Sequence, residues 1–258
     1  MENTHPSVTA EQMVRDTFSR STESYSGLFL QQQTATSFCF RRRLELAVEL
    51  SQVGSGRMLD CATGTGEITA AVLQNSRLTQ ATIVDISPEM LGHARAHIAR
   101  TVRRPSASLQ FVPADIFEFL PAASLELYDL VLCLGLIAHT GRLEELLTNM
   151  KSLLAPGGKI LLQSTLLDHP GTRIVRALTA ERYRRKHGYY IHYFTAHEIE
   201  EACKRCGLFI QETRRFAVGV PFGDKVWAKG NYRLETYGRN WAERHGSEAI
   251  YAISNRPW

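Results

Sequence analysis

Between Met58 and Glu67 the chain reads Met-Leu-Asp-Cys-Ala-Thr-Gly-Thr-Gly-Glu. An apolar run ends in an acid, Asp60, passes through a loop holding Gly64 and Gly66, and gives way to a helical pattern near Glu67. Glycines in such a loop let the backbone turn tightly and approach a ligand closely, and the helix N-terminus beyond it offers free N–H groups. A tight strand-to-helix turn without a ligand uses the same residues, so the loop alone is weak evidence. Two acids further along strengthen it. Asp85 ends a second apolar run 19 residues after Gly66, where a carboxylate can accept hydrogen bonds from both hydroxyls of a ribose. Asp115 follows a third run in Pro113-Ala114-Asp115-Ile116, where a carboxylate can accept from an adenine amino group. Each Asp alone reads equally well as a turn residue or helix cap. Three acids at three successive strand ends are harder to attribute to capping.

Two other groups invite chemistry. The segment His187-Gly188-Tyr189-Tyr190-Ile191-His192-Tyr193-Phe194 is dense in phenols and imidazoles and runs directly into Thr195-x-x-Glu198, a helix-opening capping box. Cys203-x-x-Cys206 has the spacing of a metal or redox pair, but no second pair completes a zinc site. Ile199, Ala202, Cys203 and Cys206 instead form one apolar helical stripe, so core packing is the expected role and no metal is assigned.

The elements that position these residues alternate. Strand-like runs at Arg57–Cys61, Ala81–Asp85, Ser108–Val112, Tyr128–Leu134 and Lys159–Gln163 are separated by helical stripes such as Leu91, Ala94, Ile98 and Val102, and Leu143, Leu146, Leu147, Met150 and Leu154. This is the signature of βαβ units around a parallel sheet. Ser87-Pro88 opens one helix with an N-cap and a first-turn proline. Two helical segments precede the core, one behind the capping box Thr9-x-x-Gln12 and one over residues 34–50. An irregular basic stretch follows it. Leu208–Thr213 and Ala249–Ser254 are expected to complete the sheet, and residues 222–245 between them could fold over the active site, with no legible function.

Composition sets the outer limits. With 258 residues, 44% hydrophobic and 22% charged, the chain reads as one globular domain. Its longest apolar run, Leu130 to Ala138, is far short of the roughly 20 residues of a membrane span, and the polar N-terminus does not read as a secretory signal. Five cysteines without a framework point to a reducing, cytoplasmic setting. The net charge of +4 is spread over short clusters, Arg41 to Arg43, Arg103-Arg104, Arg182 to Lys186 and Arg214-Arg215. A nucleic-acid-binding domain concentrates more charge on one element.

In its motifs the sequence resembles the class I S-adenosylmethionine-dependent methyltransferases. The matching pieces are LDCATGTG at 59–66, VDIS at 84–87, PADIF at 113–117, YDLVLCLGLIAH at 128–139 and LAPGGKILL at 154–162. Ala62 stands where many members carry glycine; alanine there is common in the subgroup resembling quinone-biosynthesis methyltransferases. The resemblance implies a doubly wound α/β fold with a Rossmann-like sheet of seven strands in the order 3-2-1-4-5-7-6, the last strand antiparallel. It also implies S-adenosylmethionine as cofactor and S-adenosylhomocysteine as product. Residue by residue, Asp60, Ala62, Gly64 and Gly66 belong to the loop for the methionine moiety. Asp85 serves the ribose and Asp115 the adenine amine, flanked by Ile86 and Ile116, with Leu134 and Gly135 beneath the sulfonium. Tyr25 resembles a tyrosine that reaches the cofactor carboxylate in many small-molecule members; it reads equally as a packing residue. A nicotinamide-binding domain competes poorly, because Thr69 stands where that fingerprint prefers a third glycine.

The same resemblance divides the single domain into an N-terminal helical lid (1–52), a cofactor-binding core (53–164), a cap segment (165–195) and the C-terminal part of the core (196–258). His139, just after the fourth strand, is the candidate base, or else caps the helix beginning near Gly141. Tyr193 joins it as a catalytic candidate, with Tyr189, Tyr190 and His192 shaping an acceptor pocket. Leu134-Gly135-Leu136 replaces the Asn/Asp-Pro-Pro-aromatic motif of base and glutamine methyltransferases, and no RNA-binding module is appended. The expected acceptor is therefore a small molecule, methylated on oxygen, nitrogen or carbon, with nucleic acid and membrane disfavoured as partners. The alternatives are an enzyme using the cofactor for another reaction and a catalytically silent binding protein.

Overall fold

The computed structural model describes residues 9–27, 33–102, 107–119 and 127–257. The basic pair Arg103-Arg104 and the first eight residues, used in the sequence reading, lie outside them. Seven strands are described: β1 (Arg57–Asp60), β2 (Gln80–Asp85), β3 (Ser108–Pro113), β4 (Tyr128–Leu134), β5 (Leu154–Thr165), β6 (Phe209–Phe216) and β7 (Glu248–Ser254). They form one sheet in the order β3-β2-β1-β4-β5-β7-β6. β1 to β5 pair in parallel, and β7 runs antiparallel between β5 and β6. The expected order and the reversed last strand are both found.

Both faces of the sheet are covered, which is why its central strands read as continuous apolar runs rather than alternating ones. Along β4, Val131 and Cys133 belong to one core, while Leu130, Leu132 and Leu134 belong to the other. The helices are α1 (Ala10–Gly27), α2 (Ala35–Leu50), α3 (Glu67–Gln74), α4 (Pro88–Thr101), α5 (Ile137–Thr140), α6 (Leu143–Leu153), α7 (Pro170–His187), α8 (Ala196–Arg205), α9 (Gly223–Tyr237) and α10 (Arg239–His245). α6 and α8 fill the first core with Leu146, Leu147, Met150, Ile199 and Cys203. α2, α3 and α4 fill the second with Leu46, Ala47, Val72, Leu91 and Ile98. The local signals hold: Ser87 accepts from Met90 N at 3.1 Å, and Thr195 and Glu198 make a reciprocal capping box. Cys203 is buried in the α8 stripe, and among the described residues no cluster suited to a metal is found.

Two stretches differ from expectation. Residues 170–187, read as an irregular basic stretch, form an 18-residue helix opened by Pro170 and capped by His169, which accepts from Gly171 N at 3.1 Å. Its stripe of Val175, Thr179 and Tyr183 faces a cavity rather than a core, so it lacks the leucines that make a core-facing helix legible. Residues 223–245 fold into α9 and α10, with α9 packed on α2. No helix among the described residues is long and apolar enough to cross a membrane.

Candidate active site

The glycine loop is built around two buried carboxylates. Asp60, at the end of β1, accepts from the hydroxyl of Thr69 on α3 and, at 3.4 Å, from Ala62 N. The Thr69 oxygen also lies 2.8 Å from Thr63 Oγ1, so the threonine that breaks the nicotinamide fingerprint ties loop to helix. Asp85, at the end of β2, accepts from Gly64 N and from Ser87 N, each at 2.9 Å. Burial pushes both carboxyls up to about 6, against the lowering effect of these donors. Gly64 and Gly66 have φ of +57° and +87°. A Cβ on Gly66 would meet Ala94 Cα of α4 at 2.8 Å, so the loop both turns left-handed and lies hard against a helix.

β1 and β4 are adjacent in the sheet but far apart in the chain, and the loops after them diverge. Open α/β sheets bind ligands at such a switch point, beyond the carboxyl ends of the strands. A cavity of about 760 Å³ opens there, within the usual range of ligand sites. Ala62, Gly64, Asp85, Ile86, Asp115, Ile116 and Leu134 line one side. Asp115 accepts from Phe117 N at 2.9 Å, which fixes the carboxylate beside Ile116. α1 and α2 close over the opening with Phe18, Tyr25, Phe40 and Arg43, and α7 with Val175, Thr179 and Tyr183. Tyr25 lies over the glycine loop, its ring 3.2 Å from where a Gly64 Cβ would stand, and burial raises its phenol.

The aromatic cluster is divided between the cavity and its support. His139 lines the cavity, accepts an edge contact from Phe18 at 4.8 Å, and has Nδ1 3.1 Å from the Tyr189 hydroxyl. Tyr189 in turn lies 3.0 Å from the Tyr183 hydroxyl. Burial first, then the positive charge of Arg43, lowers the His139 imidazole to about 4. It is neutral at physiological pH and poorly matched to taking a proton there. Tyr193 lines the cavity with its phenol raised by burial, and so stays a hydrogen-bond donor.

Of the residues expected at the site, Tyr25, Ala62, Gly64, Asp85, Ile86, Asp115, Ile116, Leu134, His139 and Tyr193 line one cavity. Five do not. Asp60 and Gly66 stand behind the loop, bracing it against α3 and α4. Tyr189 holds His139 from behind. Tyr190 is 43% exposed and donates to Glu181 on the outer surface. His192 packs against Gly141, its backbone N bonded to Ala138 O at 2.8 Å.

The sequence reading missed the far wall. Gln163 and Thr165 of β5, Glu248 of β7 and Asp224, Asn231 and Glu235 of α9 also line the cavity. Glu248 accepts from Thr165 Oγ1 at 2.8 Å and from Gln163, and burial raises its carboxyl. Glu235 accepts from Val218 N and Gly219 N at 2.6 and 3.1 Å. Burial works to raise the Asp224 carboxyl, but donors on Thr36 and Ala35 at the start of α2 hold it below its ordinary value. Ala217 and Phe222, with φ of 67° and 56°, are non-glycine residues in left-handed conformation, and both line the cavity. Such strain persists where surrounding structure enforces it, often at ligand sites. The signals in the sequence were a polar residue inside an otherwise apolar strand, Gln163, and the placement of residues 222–245 between the last two strands.

Comparison with known proteins adds similarities. The family described as a methyltransferase domain matches residues 59–160. The ubiquinone biosynthesis O-methyltransferase of Xanthomonas euvesicatoria pv. vesicatoria (strain 85-10) is 28% identical over 139 residues, covering 54% of this chain and 55% of that protein. The squalestatin tetraketide synthase of Phoma sp. (strain C2932) is 28% identical over 132 residues, 48% of this chain and 5% of that protein. The chain thus spans about half, or far less, of the length of these relatives. Among solved structures, magnesium protoporphyrin IX methyltransferase from Synechocystis PCC 6803 with bound SAH superposes with a TM-score of 0.69. It covers 96% of this chain and 100% of its own at 14% identity, a likeness of fold.

Proposed function

We propose, from a chain whose residues 59–160 match a methyltransferase-domain family, that it is a class I S-adenosylmethionine-dependent methyltransferase, that the cavity binds this cofactor and that the protein methylates a small-molecule acceptor. One observation carries the reading: the left-handed glycine loop is bonded to Asp85 and opens into the same cavity as Asp115. Those residues fit the cofactor. The two Asp85 oxygens, each with one backbone donor, retain a further acceptor site apiece for the ribose hydroxyls. Asp115 takes the adenine amine between the walls of Ile86 and Ile116. Gly64 lets the methionine moiety approach the backbone, beneath Tyr25.

When bound, S-adenosylmethionine supplies a methyl group activated by its sulfonium and departs as S-adenosylhomocysteine. The chain's own residues align and shelter. Tyr25, Phe18 and Phe40 present aromatic faces, which attract a cation by on the order of 0.5–2 kcal/mol. His139, neutral and fixed by Tyr189, orients the acceptor, and Tyr193 donates a hydrogen bond to it. Within the expected lid and cap, α1, α2 and residues 165–195 cover the cavity, excluding water that would compete with the acceptor. A cytoplasmic setting suits the five free cysteines.

Calorimetric titration with S-adenosylhomocysteine and with NADH tests the cofactor: the former should bind and the latter should not. Mass spectrometry of reactions with phenols, carboxylic acids and amines tests the chemistry. A methylated acceptor with S-adenosylhomocysteine supports methyl transfer. Methylthioadenosine indicates another use of the sulfonium, and cofactor binding without turnover indicates a silent binding protein.

A further inference from the structure

α9 is inside out. Its acids point into the protein: Asp224 accepts from Ala35 N and Thr36 N of α2, and Glu235 accepts from Val218 N and Gly219 N. Its apolar side chains point outward, with Val226 and Tyr237 each 85% exposed, Trp227 66% and Leu234 50%. Val226, Gly230, Leu234 and Tyr237 succeed one another at spacings of three and four residues, which puts them on one helical face. Trp227 stands at a kink, with φ of −156° and ψ of 73°. Its indole nevertheless lies on the same face, because a Cβ on Gly230 would run into the ring. A surface helix of a globular protein is ordinarily arranged the other way, apolar side inward.

The charges sort in the same direction. Lys225, Lys229, Arg233, Arg239 and Arg244 are exposed on α9 and α10, and the one exposed acid of these helices, Glu243, lies 3.7 Å from Arg239. Five of the eleven large apolar side chains exposed among the described residues belong to the same two helices, which are only 15 and 7 residues long. Exposed apolar side chains are unremarkable singly, but gathered on one surface they mark an interaction site. The fifth of them, Trp241, lines a groove with Ile174 of α7. Along α7 the exposed surface continues with Leu178 and the cations Arg173, Arg176, Arg182 and Arg185.

We propose that this face, centred on the outer side of α9 and α10, docks on an anionic lipid surface. A second copy of the chain would set cations against cations. A helix of a partner protein would pair with one narrow seam, whereas here apolar and basic side chains spread over three helices. Tryptophan and tyrosine beside lysine and arginine are the residues that settle between headgroups and acyl chains. Each Lys or Arg held near anionic headgroups adds an attraction that salt screens. No helix among the described residues can cross a bilayer; a helix lying in its surface needs only a face of this kind. Phe222, Gly223 and Lys225, where α9 begins, line the cavity, so the docked helix borders it.

The test floats the full chain with vesicles of phosphatidylcholine alone and of phosphatidylcholine mixed equally with phosphatidylglycerol. The mixed vesicles should bind about tenfold more tightly or better at low salt, and added salt should weaken that binding. Lys229→Glu with Arg233→Glu should cut the affinity by about tenfold or more, and Trp227→Ser with Tyr237→Ser should also weaken it. None of these four residues lines the cavity, so S-adenosylhomocysteine affinity should match that of the unaltered chain. Brominated acyl chains should quench tryptophan fluorescence, and less so in Trp227→Phe, a variant that leaves the face apolar. Equal binding to both vesicles, binding to neither, or full binding by either double variant overturns the proposal. So does binding of a soluble acidic peptide of repeated Glu and Leu by a chain that ignores vesicles, which gives the face to a protein partner. A dimer that Trp227→Ser with Tyr237→Ser dissolves gives it to a second copy and overturns the proposal likewise. Vesicle binding does not need the cofactor, so failure of S-adenosylhomocysteine to bind bears on the methyltransferase reading alone.

Discussion

Asp60 and Asp85 end neighbouring strands and act on the same loop, but only Asp85 reaches the cavity. Replacing Asp85 with Ala removes acceptors for a bound ribose, each hydrogen bond to a charged group being worth about 1.5–3 kcal/mol. Affinity for S-adenosylhomocysteine should fall by about tenfold or more by calorimetry; an unchanged value would remove Asp85 from the site. Asp60 has a different signature. Its carboxyl is at about 6 in the fold against 3.8 as the ordinary value, so its contribution to stability is fully present below about pH 3.8. That contribution is lost as pH rises through about 6. Asp60→Asn cannot ionise, so between pH 4 and pH 7 its stability should rise relative to wild type, by on the order of 3 kcal/mol at about 1.4 kcal/mol per pH unit. Urea unfolding of both proteins across that range is the check, and parallel curves would contradict it. These acids were legible because each follows a strand. That Asp60 braces the loop while Asp85 lines the cavity was not, since it depends on Thr69 reaching back from α3.

At the scale of elements, the loop's conformation depends on how closely α4 lies beneath it. Gly66→Ala combines a left-handed φ of +87° with a Cβ 2.8 Å from Ala94 Cα. We expect a stability loss of about 1–3 kcal/mol from overpacking and a weakened S-adenosylhomocysteine site; a variant that melts and binds like wild type would show that the loop has room. Strands and capped helices were read correctly because periodicity and caps are local signals. α7 was not, and α9 was left without an element, because their inner faces line a cavity. Val175, Thr179 and Tyr183 are spaced as a helix face but lack the apolar density of one that packs in a core. Asp224 at the start of α9 accepts from the first N–H groups of α2, 188 and 189 residues away in the chain, and no local pattern announces such a contact.

The whole molecule joins a seven-stranded sheet to a helical cover over the cavity. Sheet order and the reversed β7 followed from motif resemblance, and of the three acids at strand ends Asp85 and Asp115 line the cavity. The far wall draws on α2, β5, α9 and β7, whose convergence only the folded chain displays. The central claim is that this cavity holds S-adenosylmethionine with its ribose on Asp85. A crystal structure with S-adenosylhomocysteine tests it most directly. The account predicts both ribose hydroxyls within about 3.2 Å of the Asp85 carboxylate, the adenine amine at Asp115, and the sulfur facing the Tyr25 and His139 side of the cavity. A ligand bound elsewhere, or one in this cavity touching neither carboxylate, would contradict it.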